Sequence, residues 1–243
     1  MWMTTPGSAL ENWRKNLSER RWWTNEKIGW YERASDHCCF HSLLASSLEK
    51  YLTPSSSILE LGCGTGRMAE TLARRGYPIL ALDNDEEAIR TAKERSGLSI
   101  FCKGDYKDRS YSGDTVLTVF FGRFWVDDNL SFLLSMAKRN LVSIHSLHIG
   151  QGIKGKDTPS LSRSLSFLHD RGYEAEGIEM EIPFHQPLLS YEEGLEFIKK
   201  SYGEDKVSLY ESSIEESEDK IFPFEFKNNK KMVILNIPKK ELR

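Results

Sequence analysis

Cysteine is scarce in this chain, with four in 243 residues (Cys38, Cys39, Cys63 and Cys102) and no CxxC spacing. That excludes a disulfide framework and fits a reducing, cytoplasmic setting. No stretch approaches the roughly 18 consecutive apolar residues that a membrane-spanning helix needs, so no membrane partner is expected. The opening Met-Trp-Met-Thr-Thr-Pro-Gly lacks a basic segment followed by an apolar one, so no secretory signal is expected either. Neither sign of charge dominates. Lys and Arg total 33 against 36 Asp and Glu, a net charge of −3, and the pI is near 6.1. This argues against a general nucleic-acid binder and leaves room for a local basic patch. Apolar residues are not in short supply: at 39% hydrophobic, the chain can bury a core, which excludes wholesale disorder. Its length suits one large domain with a modest attachment. There is no internal repeat.

Tryptophan is unevenly spread. Five of the six (Trp2, Trp13, Trp22, Trp23 and Trp30) fall in the first fifty residues, mixed with Arg14, Lys15, Arg20, Arg21 and Lys27. Phe40, Leu43, Leu44, Leu48 and Leu52 recur at helical spacing, which predicts a helix over 34–52, stopped by Pro54. Residues 1–53 read as a helical extension that packs as a lid on a main domain over 54–243.

From Ser57 the pattern alternates strand and helix. Apolar runs predict strands over 58–61, 78–82, 98–102, 115–121 and 141–148. Helices are predicted from the glycine loop to Arg75, over 85–95 and over 128–138. Helical crossovers of this length imply parallel pairing, hence an α/β, doubly wound, mostly parallel sheet. Further on, Thr158-Pro159 reads as an N-cap with proline at the first helical position, opening a helix that carries Leu161, Leu165 and Leu168. A sixth strand is predicted over 173–182, a capping box at Ser190 with Glu193, and a last strand over 232–237. The acidic stretch around 211–219 reads as a solvated loop.

The sharpest motif is Glu60-Leu-Gly62-Cys63-Gly64-Thr-Gly66, between a strand and a helix. Glycine is required where the backbone takes positive φ or a ligand lies against the main chain. In open α/β sheets such ligands sit at the carboxyl ends of the strands, near the switch point. Asp83 ends the second strand, 21 positions after Gly62, where a carboxylate can accept from ribose hydroxyls. Read alone, Asp83-Asn84-Asp85 is equally a helix cap. Gly104-Asp105-Tyr106 follows the third strand, where a carboxylate can meet an exocyclic amine and a ring can flank a base; read alone, it is a loop turn. Glu60 separates nucleotide classes, because a carboxylate at this turn repels the pyrophosphate that a dinucleotide fold places there. The dinucleotide fingerprint also wants its third glycine one residue later, where this chain has Arg67. A ribose, an adenine and a cationic amino-acid tail suit the motif better. S-adenosylmethionine is such a ligand.

At these residues the chain resembles the class I S-adenosylmethionine-dependent methyltransferases. The order of elements over 57–237 is similar to that family's seven-stranded sheet with an antiparallel last strand. The resemblance implies that Glu60, Gly62, Gly64 and Gly66 flank the methionine part, that Asp83 binds ribose, and that Asp105 with Tyr106 meets adenine. Cys63, Asn84 and Phe121 are further candidates for the cofactor site. The family's N-terminal helix often covers the cofactor, which implies a contact of Tyr31, Arg33 or His37 with its carboxylate.

Methyl transfer from a sulfonium needs alignment and exclusion of water, and a base only if the acceptor must lose a proton. The fourth strand ends Phe120-Phe121-Gly122-Arg123-Phe124-Trp125, without the Asn/Asp-Pro-Pro-aromatic motif often used for exocyclic or amide nitrogens. Arg123 could orient an anionic acceptor or be a surface charge. His145 and His148, on and near the fifth strand's end, could serve as bases or be structural, and His185 is a further candidate. His37-Cys-Cys-Phe-His41 invites a metal, but no second cluster completes a tetrahedral set, and packing or lid contacts are preferred. The tryptophan-rich start reads as a seal of lid on sheet, with one or two rings lining the acceptor pocket. The favoured function is transfer of a methyl group to a small-molecule acceptor. A non-catalytic binding partner or regulatory protein is the alternative, and an NAD-dependent oxidoreductase a more distant one. A homodimer is left open.

Overall fold

The computed structural model describes residues 23–108, 110–121, 129–147 and 160–240. Ile58–Leu61 (β1) is apolar apart from Glu60 and buried at every position, as a central strand covered on both faces must be. It pairs in parallel with Ile79–Asp83 (β2) on one side and Gly113–Val119 (β4) on the other. Phe101–Lys103 (β3) continues the parallel sheet beyond β2, and Ala137–Ser146 (β5) continues it beyond β4. Asn229–Pro238 (β10) lies antiparallel between β5 and Glu176–Pro183 (β6). The seven strands therefore run β3-β2-β1-β4-β5-β10-β6. Winding reverses between β1 and β4, which puts the switch point at the carboxyl end of β1, where the glycine loop begins.

Alternate residues of the central strands feed two cores. On one face Leu117, Val142, Ile144, Met232 and Ile234 pack with Asn25–His37 (α1), Phe40–Leu48 (α2) and Arg67–Arg74 (α3) through Ala34, Phe40, Leu44, Leu48, Met68 and Leu72. On the other, Leu59, Val116, Leu141, Val233 and Leu235 meet Asn129–Met136 (α5) and Leu161–Asp170 (α6), while Glu86–Ser96 (α4) covers β2 and β3 through Ile89 and Ala92. Each fully buried leucine contributes about 1.5–3 kcal/mol relative to exposure.

Three local expectations change. The single helix expected over 34–52 is two helices. Cys38 takes an extended conformation (φ −130°, ψ 161°), so α1 ends at His37 and α2 restarts at Phe40. Thr158 and Pro159 lie outside the described residues, and the cap of α6 is Ser160, whose side chain accepts from the Arg163 N–H. The acidic stretch is not a plain loop: Ile214–Glu216 (β8) pairs with Phe224–Phe226 (β9), which also pairs with Gln186–Leu188 (β7). Tyr191–Tyr202 (α7) covers this second sheet, with Ile198 packed on Leu188, Ile214 and Phe226. Among the described residues no helix is long and apolar enough to cross a membrane.

Candidate functional site

Gly62 and Gly64 both adopt positive φ (68° and 54°). A Cβ on Gly62 would stand 2.2 Å from the Phe121 ring, and one on Gly64 2.5 Å from the Trp23 ring. The turn is thus bare backbone between two aromatic planes, and any side chain there would force them apart. Gly66 directly precedes α3. Cys63 is buried, with its thiol directed to the Gly64 carbonyl (3.7 Å). Burial pushes that thiol's pKa up, so Cys63 shapes the turn as a small apolar residue.

Glu60 lies at the base of the turn with 1% of its surface exposed, and its Oε2 has no hydrogen-bond partner among the described residues. Burial, reinforced by the nearby Asp83 charge, raises its pKa to about 8, against a smaller opposing pull from the Ala69 N–H. A buried carboxylate oxygen without a donor is costly. A positively charged ligand group is the chemistry that would relieve it.

Asp83 closes the other side. Its Oδ2 accepts from the Gly64 N–H at 2.7 Å and its Oδ1 from the Asp85 N–H at 2.9 Å, so β2 pins the glycine turn directly. The helix-cap reading belongs to Asp85, whose side chain accepts from the Glu87 and Ala88 N–H groups. Asn84 lies between the two. Asp105 is exposed and accepts from the Lys107 N–H at 2.9 Å, a local turn. Tyr106 stands edge-on to Phe121, with ring centroids 5.1 Å apart. Glu60, the glycine turn, Asp83, Tyr106 and Phe121 therefore meet at the carboxyl ends of β1–β4.

Other candidates lie elsewhere. Arg33 does not reach the turn: its Nη1 donates to both Glu193 oxygens (2.8 and 3.0 Å) and to the Pro187 carbonyl (3.3 Å). His37 is exposed beside Phe222. His41 is buried and bonded to the Tyr31 hydroxyl (2.9 Å), and burial lowers its pKa to about 3. The break between α1 and α2 separates this pair, and among the described residues no group of three or more His, Cys, Asp or Glu could hold a metal. His145 is buried within β5, bonded through Nε2 to the Ser143 hydroxyl (2.9 Å). Desolvation lowers its pKa to about 3, so it is a neutral ring and a poor proton acceptor near pH 7, contrary to its reading as a base. His185 accepts from the Asn228 N–H at 3.0 Å, a structural bond. Arg123 and His148 lie outside the described residues, as do Trp2, Trp13, Trp22 and Trp125.

Sequence reasoning missed the clamp on the turn. Glu32 of α1 accepts from the Thr65 hydroxyl, from Arg67 Nη2 (2.6 Å) and from Arg95 Nη1 (2.9 Å). Arg95 also donates to the Thr65 carbonyl (2.8 Å) and to Glu70 (2.6 Å). One carboxylate thus ties α1, the glycine turn, α3 and α4. No local pattern marks it, because its members are spread from 32 to 95.

A profile of the methyltransferase-domain family matches residues 58–142, from β1 into β5. Ribosomal protein L11 methyltransferases of two Clostridium botulinum strains are 36% identical over 58 residues, covering 24% of this chain. The match spans only 18% of those relatives' own length. Among solved structures, a Bacillus halodurans protein described as a putative methyltransferase aligns at TM-score 0.53 and 14% identity, over 82% of this chain and all of that one. A methyltransferase from Thiobacillus denitrificans, bound to S-adenosyl-L-homocysteine, aligns at TM-score 0.50 and 16% identity, over 82% and 90%. Both share the fold.

Proposed function

We propose that this chain, whose residues 58–142 match the methyltransferase-domain family within a class I fold, transfers a methyl group from S-adenosylmethionine to a small-molecule acceptor. The single observation that carries the cofactor reading is the buried, unpartnered Glu60 oxygen beneath a bare glycine turn. It fits a ligand with an ammonium and a sulfonium and disfavours a diphosphate. Gly62, Gly64 and Gly66 would let the methionine end lie on the backbone. Asp83, with Asn84 beside it, would take the ribose, and Asp105 with Tyr106 and Phe121 the adenine. When bound, S-adenosylmethionine supplies an activated methyl group that needs no further activation by the protein.

The chain's own part is then binding, orientation and exclusion of water. Asp83 holds the turn in shape through Gly64, and Glu32 holds α1 down on it. Trp23 lies on Gly64 and makes an edge contact with Tyr31 (5.3 Å), which supports a role for both in covering the site. The neutral, buried state of His145 speaks against proton abstraction by that residue. The test is calorimetry with S-adenosylhomocysteine and with NAD, alongside turnover on a metabolite panel read as S-adenosylhomocysteine formed. The expected result is binding of the first compound with a change in tryptophan emission, and turnover of a member of the panel. Binding of NAD without response to S-adenosylhomocysteine would overturn the cofactor reading, and tight cofactor binding with turnover only on protein or RNA would overturn the acceptor class.

A further inference from the structure

β10 runs antiparallel to β5, with Met232 opposite Ser146, the last residue of β5. Asn229 and Lys230 therefore extend past the carboxyl end of β5, onto the rim that carries the glycine turn. Side chains alternate along β10, and Lys230 is in phase with Met232 and Ile234, which face α1 and α2. Lys231, one step on, faces the other way and pairs with Glu181 at 3.3 Å. Among the described residues Lys230 has no such charged partner. Its ammonium lies over the Phe184 ring, whose centroid is 5.6 Å from Nζ. Burial without a counter-charge lowers its pKa.

The surroundings connect this ammonium to the candidate cofactor site. Phe184 contacts Phe40 (5.1 Å) and Tyr31 (5.7 Å), and Tyr31 contacts Trp23, which lies on Gly64. Phe40 in turn stacks on Phe120 (6.3 Å, 29°), an aromatic residue at positive φ (53°) that leaves 43% of its surface exposed just past β4. A left-handed conformation at a bulky side chain is costly and persists where the surroundings impose it. Here it displays a ring at the rim. A series of packed rings thus runs from the glycine turn to a half-buried cation that has no counter-charge among the described residues.

Resting on the methyltransferase reading above, we infer that Lys230 is a specificity-determining residue: it neutralises an anionic group on a flat, aromatic methyl acceptor whose ring lies on the exposed face of Phe120, in front of the buried Phe40 and Phe184. A partly desolvated ammonium gains more from an anion than an exposed one, and the exposed Phe120 ring, backed by Phe40, supplies stacking surface for the rest of the molecule. An acceptor lacking the anion would cover the half-buried Lys230 without giving it a counter-charge.

The experiment titrates 2-naphthoate, 2-naphthyl phosphate and the neutral 2-naphthamide into the full chain saturated with S-adenosylhomocysteine, followed by calorimetry. At least one anion is expected to bind about tenfold or more tighter than the amide, and Lys230→Met should abolish the preference while Lys230→Arg retains most of it. Equal affinity for anions and amide, no saturable binding of any probe, or a preference that survives Lys230→Met would overturn the inference. The wild-type comparison decides even if Lys230→Met fails to fold. Failure of S-adenosylhomocysteine to bind would count against the cofactor reading alone, and the same titration of the cofactor-free chain would then decide the role of Lys230.

Discussion

Replacing Glu60 by glutamine removes an ionisation and leaves the shape nearly unchanged. With a pKa of about 8 in the folded chain against an ordinary value of 4.5, Glu60 keeps its proton on folding across a range where the unfolded chain has lost it. The folded state then binds one more proton, so stability falls as pH rises, by about 1.4 kcal/mol per pH unit where the difference is complete. Between about pH 5.5 and 7.5 that amounts to about 3 kcal/mol. His41 and His145, held neutral with pKa values near 3, have the opposite sign: they cost stability as pH falls through the range where unfolded histidine takes up a proton. The wild type alone would blend these effects, whereas subtracting the E60Q curve cancels the histidines. Urea titrations of both proteins at four pH values should give a difference that slopes downward with pH. A cationic cofactor would favour the ionised form. Calorimetry of S-adenosylmethionine near pH 7 in two buffers of different ionisation enthalpy should therefore show release of close to one proton, absent in E60Q. A flat difference curve together with buffer-independent heats would refute the argument.

Asp83→Ala removes the acceptor of the Gly64 N–H as well as a candidate ribose ligand, and should weaken cofactor binding by about 1–3 kcal/mol in calorimetry. Unchanged affinity in a folded variant would refute that role. Glu32→Ala leaves Arg67 and Arg95 without their shared carboxylate and should lower stability by about 2 kcal/mol in urea titrations, with faster amide exchange over residues 62–66. His145→Asn should leave the pH–rate profile unshifted between about pH 5 and 8. A displaced acidic limb would restore the histidine as a base.

Much of the fold is legible in the sequence because its central elements are local. β1 with its turn, the parallel strands through β5, the cap at Ser190 and the final strand each follow from a run of apolar residues or a short cap signal. The α1–α2 break at Cys38 is not, since the periodicity of Phe40 to Leu52 continues smoothly into it and the interruption is set by packing. The second sheet is hidden because β7, β8 and β9 are three residues each and pair over distances of eight to forty positions. At the site, Glu60, Asp83 and the glycines carry a recognisable spacing, and Asp85 resolves the ambiguity of the Asp83 stretch by taking the cap. The place of Arg33 is not legible, because its partner, Glu193, is 160 residues away. Lys230 did leave a signal, a charge in phase with Met232 and Ile234 along a strand.

Adjacent residues of α1 grip opposite parts of the molecule. Glu32 holds the glycine turn, while Arg33 and Trp30 hold Glu193, whose Oε2 also accepts from the Leu189 N–H just before α7. A helix fastened through side chains about 100° apart on its circumference can neither roll nor slide without straining both fastenings. It works as a keyed axle: a rotation that lifted it from the glycine turn would also strain its hold on Glu193 beside the small sheet.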